Sequence, residues 1–349
     1  MTNYLTLTLG LIIFSFLVSL VLIVPFIDLL YKLHLTRRRE APKSGKIPLF
    51  DKLHDIKVGT PVGGGVLIIV LVCLFFLIIF PLASRLGIYI KSSFSLRGEL
   101  FVIFFTFISF GLLGLSDDLL KIFGKPSKGV LGLWFGLRRS QKFVLQCILA
   151  LFVGFFIYRY LGISILNIPI IHQVYNLGIW YIPFSAFVIV AFTNAFNITD
   201  GLDGLAVGLL IICLCSFEII AAGNLDTPLS FFISLLVGCL IAFLYFNVWP
   251  ARVFLGDAGA LSFGATLAVI GLLTGKIIAL VIIGGVFVIE VTSSLVQMLG
   301  WKILKKPIFP LAPIHHAFLA RGWKEPKIVM RAWIVGFLLA IFGLWLATI

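Results

Sequence analysis

Apolar residues run unbroken along much of this chain, in stretches of roughly 18 residues or more, the length an α-helix needs to cross a hydrocarbon core. They do not alternate with polar residues, as the strands of a transmembrane β-barrel would. The pattern predicts ten spans, at about 5–30, 62–84, 100–119, 143–163, 178–196, 204–222, 229–248, 258–275, 277–301 and 329–348. The expected fold class is an all-α integral membrane protein, built as a single polytopic domain over residues 1–349. There is no internal repeat, low-complexity segment or second domain. The first run, about Leu5 to Leu30, lacks a basic leading segment and a small-residue cleavage site, so it reads as a retained span and not as a removed signal.

Composition agrees, with 61% hydrophobic and 12% charged residues. Cys73, Cys147, Cys213, Cys215 and Cys239 all fall inside apolar runs and form no CxxC pair, which makes them small buried hydrophobes. Charge adds orientation. The connections after spans 1, 3, 5, 7 and 9 (31–61, 120–142, 197–203, 249–257 and 302–328) and the residues beside them hold 22 of the 27 Lys and Arg residues. By the positive-inside rule these connections are cytoplasmic and both termini lie on the other side. A net charge of +13 makes that face attractive to anionic lipid head groups or phosphate-bearing substrates. Nucleic acid is not an expected partner, because the basic residues are divided among short connections with no soluble domain to hold a duplex.

Five carboxylates gather on the same face. Asp117 and Asp118 close the third run, Asp200 and Asp203 lie in Asn197-Ile-Thr-Asp-Gly-Leu-Asp-Gly204, and Asp257 lies in Phe254-Leu-Gly-Asp-Ala-Gly259. A carboxylate near a bilayer is costly to desolvate, so this cluster needs a cation, a proton or water. Asp117 and Asp118 sit about 100° apart on a helix, with Lys121 one turn on from Asp117 and able to reach a phosphate. A solvated helix C-terminus is the plainer account, but acids there oppose the helix dipole. For the second motif the plain account is a turn rich in Asn, Asp and Gly. Three acidic elements on one face argue against coincidence, and ligation by oxygen alone favours Mg²⁺, with Mn²⁺ the alternative, over zinc. In the third motif Phe254 offers an aromatic face for a base.

The last cytoplasmic connection carries His315 and His316, a poor zinc signature without a Cys or a spaced third His, and better suited to phosphate contact or acid–base work. Lys57-Val-Gly-Thr-Pro-Val-Gly-Gly-Gly65 leads a basic residue into a helix through glycines, where free backbone N–H groups favour an anion. His34, His54 and His172 are isolated and take no role.

Taken together these residues resemble the polyprenyl-phosphate N-acetylhexosamine-1-phosphate transferases over the whole chain. The matching elements are Gly59-Thr-Pro61, Asp117-Asp118 with Lys121, Ser127-Lys-Gly129, the Asn197 to Ala206 segment, Phe254-Leu-Gly-Asp257, Phe287-Val-Ile-Glu290, Ala312-Pro-Ile-His-His316 and Gly322-Trp-Lys-Glu-Pro-Lys327. The His loop and the Gly-Trp-Lys-Glu-Pro stretch point to the branch whose donor is UDP-MurNAc-pentapeptide. The resemblance implies a bacterial cell-membrane enzyme that transfers phospho-MurNAc-pentapeptide to undecaprenyl phosphate, giving lipid I and UMP, and it admits a homodimer. It further implies that Asp257 binds Mg²⁺ and that Asp117 and Asp118 serve the acceptor phosphate, one as base or as covalent nucleophile. Asn197, Asp200 and Asp203 shape the nucleotide site on this reading, with Phe254 against uracil and Asn247 and Gln297 nearby. Lys57, Lys121 and Lys125 contact phosphates, and His315 and His316 hold the diphosphate or sugar end. Three departures are visible: Ala317 stands for the usual third His, Leu319 for an acidic residue, and Val62-Gly63 for Thr-Met. They leave the metal residues in place and bear on recognition of the donor sugar.

The nearest rival is a sister transferase using UDP-GlcNAc. A secondary transporter would place ionisable residues near the midplane of repeated, broken helices, and here, of the acidic residues, only Glu290 and Glu218 lie away from the ends of spans. A membrane prenyltransferase would need DDxxD-like motifs, a pattern that Lys121 breaks.

Overall fold

The computed structural model describes residues 2–37, 57–85, 88–124, 127–129, 132–134, 137–171 and 173–349. Lys125, His54 and His172 lie outside the described residues. In chain order the helices are α1 (Thr2–Lys32), α2 (Gly64–Arg85), α3 (Leu96–Phe123), α4 (Arg139–Tyr160), α5 (Tyr181–Thr199), α6 (Leu205–Gly223), α7 (Thr227–Asn247), α8 (Gly256–Leu273), α9 (Ile277–Ile283), α10 (Gly285–Leu299), α11 (Ile314–Ala320) and α12 (Glu325–Thr348). Among the described residues ten helical stretches are long and apolar enough to cross a membrane, which agrees with the number of apolar runs.

Three features depart from the pattern-based expectation. The ninth run, expected at 277–301, is two helices broken at Gly284, with the candidate span at Gly285–Leu304. Hydropathy is blind to this break, because adjacent Gly284 and Gly285 are as compatible with an apolar run as Ala while costing helix propensity. Among the described residues there are also two short antiparallel strand pairs, β1 (Ser127–Gly129) with β2 (Gly132–Trp134), and β3 (Ile165–Ile168) with β4 (Gln173–Asn176). Finally, α3 continues to Phe123, so Asp117 and Asp118 lie inside the helix, 1% and 7% exposed, and not at a solvated C-terminus.

The centre of the bundle is α8, in which every residue from Ala258 to Leu273 is buried. It packs against α2, α3 and α5. Within a bilayer, helices associate by close packing more than by a hydrophobic drive, and small residues permit the closest approach. A Cβ at Gly114 on α3 would overlap the backbone carbonyl of Asp257, and one at Gly65 on α2 would overlap the backbone of Gly259. Away from that contact the bundle is held by aromatic packing, with Phe107 edge-on to Phe232 at 5.2 Å and Phe196 stacked on Phe287 at 5.3 Å. Gly114 thus lets the turn of α3 that carries Asp117 and Asp118 lie against the first turn of α8, which carries Asp257.

This contact gives a direct test. Gly114→Leu sets a side chain against backbone that has nowhere to move, so thermal unfolding of the detergent-solubilised protein should show a loss of at least about 1–3 kcal/mol. Gly10→Leu, at a position with nothing within 4 Å of an added Cβ, should melt as the parent does.

Candidate active site

At the end of the bundle where α3 meets α8, a cavity of about 380 Å³ opens, lined by residues from six separate stretches of chain. It brings together Lys57, Asp118, Lys121, Asn197, Asp200, Asp203, Asn247, Phe254 and Asp257, all singled out from sequence. Asp117 is buried behind this wall and is linked to it through lysines.

The two adjacent aspartates have different work because they point in different directions. Asp118 faces the start of α8, where its Oδ1 accepts the Asp257 N–H at 3.0 Å and its Oδ2 accepts the Ala258 N–H at 3.0 Å. It is a helix cap supplied by another helix, satisfying amide groups that have no partner within α8 and sitting at the positive end of its dipole. Gly256 makes room for it: its φ is +78°, and a Cβ there would lie 2.7 Å from Asp118 Oδ2. Asp117 faces a different direction, its Oδ1 accepting the Leu137 N–H at 2.7 Å.

Asp257 is the meeting point. Its Oδ1 accepts from Asn197 Nδ2 at 3.1 Å, and its Oδ2 accepts from Lys121 Nζ at 2.6 Å and also from Lys142 Nζ. The same two ammonium groups each lie 3.1 Å from Asp117 Oδ2. Two lysines therefore stand between two carboxylates, and mutual neutralisation is what lets four charges share a site that is partly shielded from water. The Lys121 side chain keeps 37% exposure, so the cluster is open on the cavity side.

At the other end of the cavity Lys57 is buried and donates to Asp203 Oδ1 and Glu325 Oε1, both at 2.6 Å. Glu325 Oε1 also accepts the Asp203 N–H at 2.6 Å, and Asp203 Oδ2 accepts the Ala251 N–H at 2.9 Å. The Lys57 ammonium lies 6.0 Å from the centre of the Phe254 ring, and the Arg37 guanidinium lies 5.8 Å from it. Asn247 joins two loops, accepting the Gly204 N–H at 3.1 Å and donating to the Val253 carbonyl at 2.9 Å. Between the two ends, burial pushes the Asp200 carboxyl up to about 7, helped by the negative charge of Asp257.

Other expected residues lie off the cavity. His315 and His316 on α11 are 1% and 4% exposed; His315 sits behind Gly201, with Nδ1 2.9 Å from Glu290 Oε2. Gln297 pins a loop, accepting the Ile308 and Phe309 N–H groups at 3.0 and 2.9 Å and donating to the Phe309 carbonyl at 3.0 Å. The glycine lead-in to α2 does not leave its amides free for an anion. Gly63 and Gly64 donate to the Phe254 carbonyl and Gly65 to the Leu255 carbonyl, at 3.2, 3.0 and 2.9 Å. They serve instead to tie α2 to the loop before α8.

Sequence reasoning gave no role to Lys142, Arg37 or Glu325. Lys142 had counted only as a topological charge at the mouth of α4. Glu325 stood in a matched motif without an assigned partner. Only the fold brings them to Asp257, Phe254 and Lys57.

Among the described residues no group of three His, Cys, Asp or Glu converges as a ready-made metal cage. The donor set nevertheless fits a hard divalent ion. Asp117 and Asp257 already hold positive charge between them, and Mg²⁺ typically takes only one or two protein carboxylates, filling its octahedron with water and substrate phosphates.

The profile described as Glycosyl transferase family 4 matches residues 100–275. Over 320 residues the chain is 38% identical to a phospho-N-acetylmuramoyl-pentapeptide-transferase of Clostridium perfringens (strain 13 / Type A), covering 91% of this chain and 92% of that protein. It is 35% identical over 338 residues to the protein of the same name from Geobacillus sp. (strain WCH70), and 36% identical over 339 residues to that of Bacillus velezensis. In both cases 96% of each chain is covered.

Proposed function

Since the chain belongs to the phospho-N-acetylmuramoyl-pentapeptide-transferase family, within glycosyl transferase family 4, we propose that its cavity carries phospho-MurNAc-pentapeptide from UDP-MurNAc-pentapeptide to undecaprenyl phosphate. One observation carries the assignment of the site: Lys121 and Lys142 are held between Asp117 and Asp257, and Lys121 and Asp257 line the same cavity as the Phe254 ring. That is a cationic, oxygen-rich end for phosphates and an aromatic end for a base.

In the reaction an oxygen of the lipid phosphate attacks the β-phosphorus of the donor. A new P–O bond forms, the bridging P–O bond between α- and β-phosphorus breaks, and UMP leaves with its electrons. The acceptor, a phosphate monoester with a second pKa near 6, is largely a dianion at neutral pH, so the enzyme has more charge to manage than protons to remove. Lys121 and Lys142 meet the phosphate charge directly, in a partly enclosed site where such contacts are strong. Asp118 has both oxygens on backbone amides and serves as the anchor of α8, which leaves Asp117 to act on the acceptor phosphate through the Lys121 and Lys142 ammonium groups it holds. Asp257, with Asp117 opposite, would hold Mg²⁺, or Mn²⁺ on the same donor set. A bound divalent ion supplies neutralisation of the diphosphate and of charge developing on the leaving oxygen. Lys57, already paired with Asp203 and Glu325, belongs with Phe254 at the nucleoside end. The lipid acceptor stays in the bilayer while the nucleotide comes from water, so the cavity belongs at the cytoplasmic interface of the cell membrane, beside the basic connections, with both termini on the opposite side.

The sister reading, a UDP-GlcNAc donor, is not favoured, since the relatives above carry the MurNAc-pentapeptide name. Steady-state rates with purified protein, polyprenyl phosphate and either donor test the assignment. A higher kcat/KM is expected for UDP-MurNAc-pentapeptide; a higher value for UDP-GlcNAc would move the chain to the sister branch, in keeping with Ala317 and Leu319. For sidedness, single cysteines placed at Ser44 and Ser93 in a cysteine-free background should label from opposite faces, Ser93 from outside. Labelling of both from outside would overturn this topology.

A further inference from the structure

Glu290 is ionisable, lies within a membrane-spanning helix, and has no part in the transfer chemistry above. It sits on α10 with 3% exposure, and a carboxylate so placed needs a partner. The partner is His315, whose Nδ1 lies 2.9 Å from Glu290 Oε2 and whose backbone N–H lies 3.5 Å from the same oxygen. The pairing is braced next door, where Ser293 Oγ donates to the Glu290 carbonyl at 2.7 Å and accepts the Ile314 N–H at 3.1 Å.

A carboxylate accepting from Nδ1 fixes an imidazole in one ring orientation as the Nδ1–H tautomer, and makes Nε2 the outward atom. Here Nε2 is buried and has no hydrogen-bond partner among the described residues. It faces Gly201, where a Cβ would lie 2.6 Å away. Gly201 is itself part of the cavity wall, between Asp200 and Asp203. The nitrogen is therefore separated from the cavity by the one residue type that lacks a side chain to cover it, and an unpaired buried nitrogen in such a place calls for a ligand.

We propose that Glu290 is a positioning residue for the transfer, acting through His315 to present imidazole Nε2, at the Gly201 turn, to a hydroxyl or amide N–H on the sugar side of the nucleotide donor. The proposal rests on the transferase reading. Glu290 touches no substrate, so all of its effect on turnover passes through His315.

The test is a double-mutant cycle in purified protein with both substrates varied: Glu290→Leu, Glu290→Gln, His315→Ala, and Glu290→Leu with His315→Ala. Glu290→Leu should lower kcat/KM for the donor by about 10- to 100-fold, as loss of an orienting partner commonly does, with the KM for polyprenyl phosphate unchanged. Glu290→Gln, which keeps an acceptor oxygen at the same reach, should recover most of the loss. The double variant should be no worse than His315→Ala alone. A second full loss in the double variant, or an equal rise in KM for both substrates, overturns the proposal. Spectra of ¹⁵N-histidine-labelled protein in nanodiscs read the same point without turnover: wild-type His315 should be protonated at Nδ1, and protonation at Nε2 alone overturns the proposal. If Glu290→Leu does not fold, the wild-type spectrum decides. Failure of the wild type to use any nucleotide-sugar donor would count against the transferase reading and leave the spectra to judge Glu290.

Discussion

A carboxylate remains ionised at the edge of a membrane only if positive charge or hydrogen-bond donors replace the water it has lost, and the end of this bundle is organised around that requirement. Asp257 is served by Asn197, Lys121 and Lys142, Asp118 by the first amides of α8, and Asp203 by Lys57 and the Ala251 amide. These donors come from distant parts of the chain, so satisfying the acids is also what draws α3, α4, α5 and α8 into register. The same arrangement suits phosphate transfer. Lysines held by carboxylates are oriented before substrate arrives, and on the proposed reading a diphosphate would exchange one set of charges for another without opening the site to bulk water.

The acid cluster depends in turn on how closely two helices approach. Gly114 brings α3 against the carbonyl of Asp257, and only at that separation can Asp118 reach the N-terminus of α8. The chemistry and the packing of the core are therefore joined at one helix pair. The flanking helices α4 and α12 contribute Lys142 and Glu325 from residues at or near their first turns, so their positions set the two ends of the cavity.

Much of this was legible in the sequence, for physical reasons that also set the limits. The ten spans could be read because a bilayer demands long apolar runs, and the acids stood out because such runs carry so few. The division of labour between Asp117 and Asp118 could not be read, since neighbours on a helix differ only in direction and the partners of each are supplied by tertiary structure. Gly63 to Gly65 looked like an anion cradle, because a glycine-rich lead-in has amides to offer; in the fold those amides pair with Phe254 and Leu255. The break at Gly284 was hidden by hydropathy. Lys142 was hidden by its neighbours, being one basic residue among several in a connection where charge already had a topological explanation. Gln297 matched a family position, yet its amide holds the 308–309 loop and lies away from the cavity lining.

The central claim is that Asp257 joins the lysine pair and a divalent ion to the transferring phosphate. Mg²⁺-dependent transfer of radiolabelled sugar phosphate to polyprenyl phosphate by Asp257→Asn measures this most directly, because the substitution removes charge while keeping shape. The account predicts a loss on the order of 10²-fold or more in protein that remains folded. Turnover near that of the parent, with the same Mg²⁺ dependence, would contradict it.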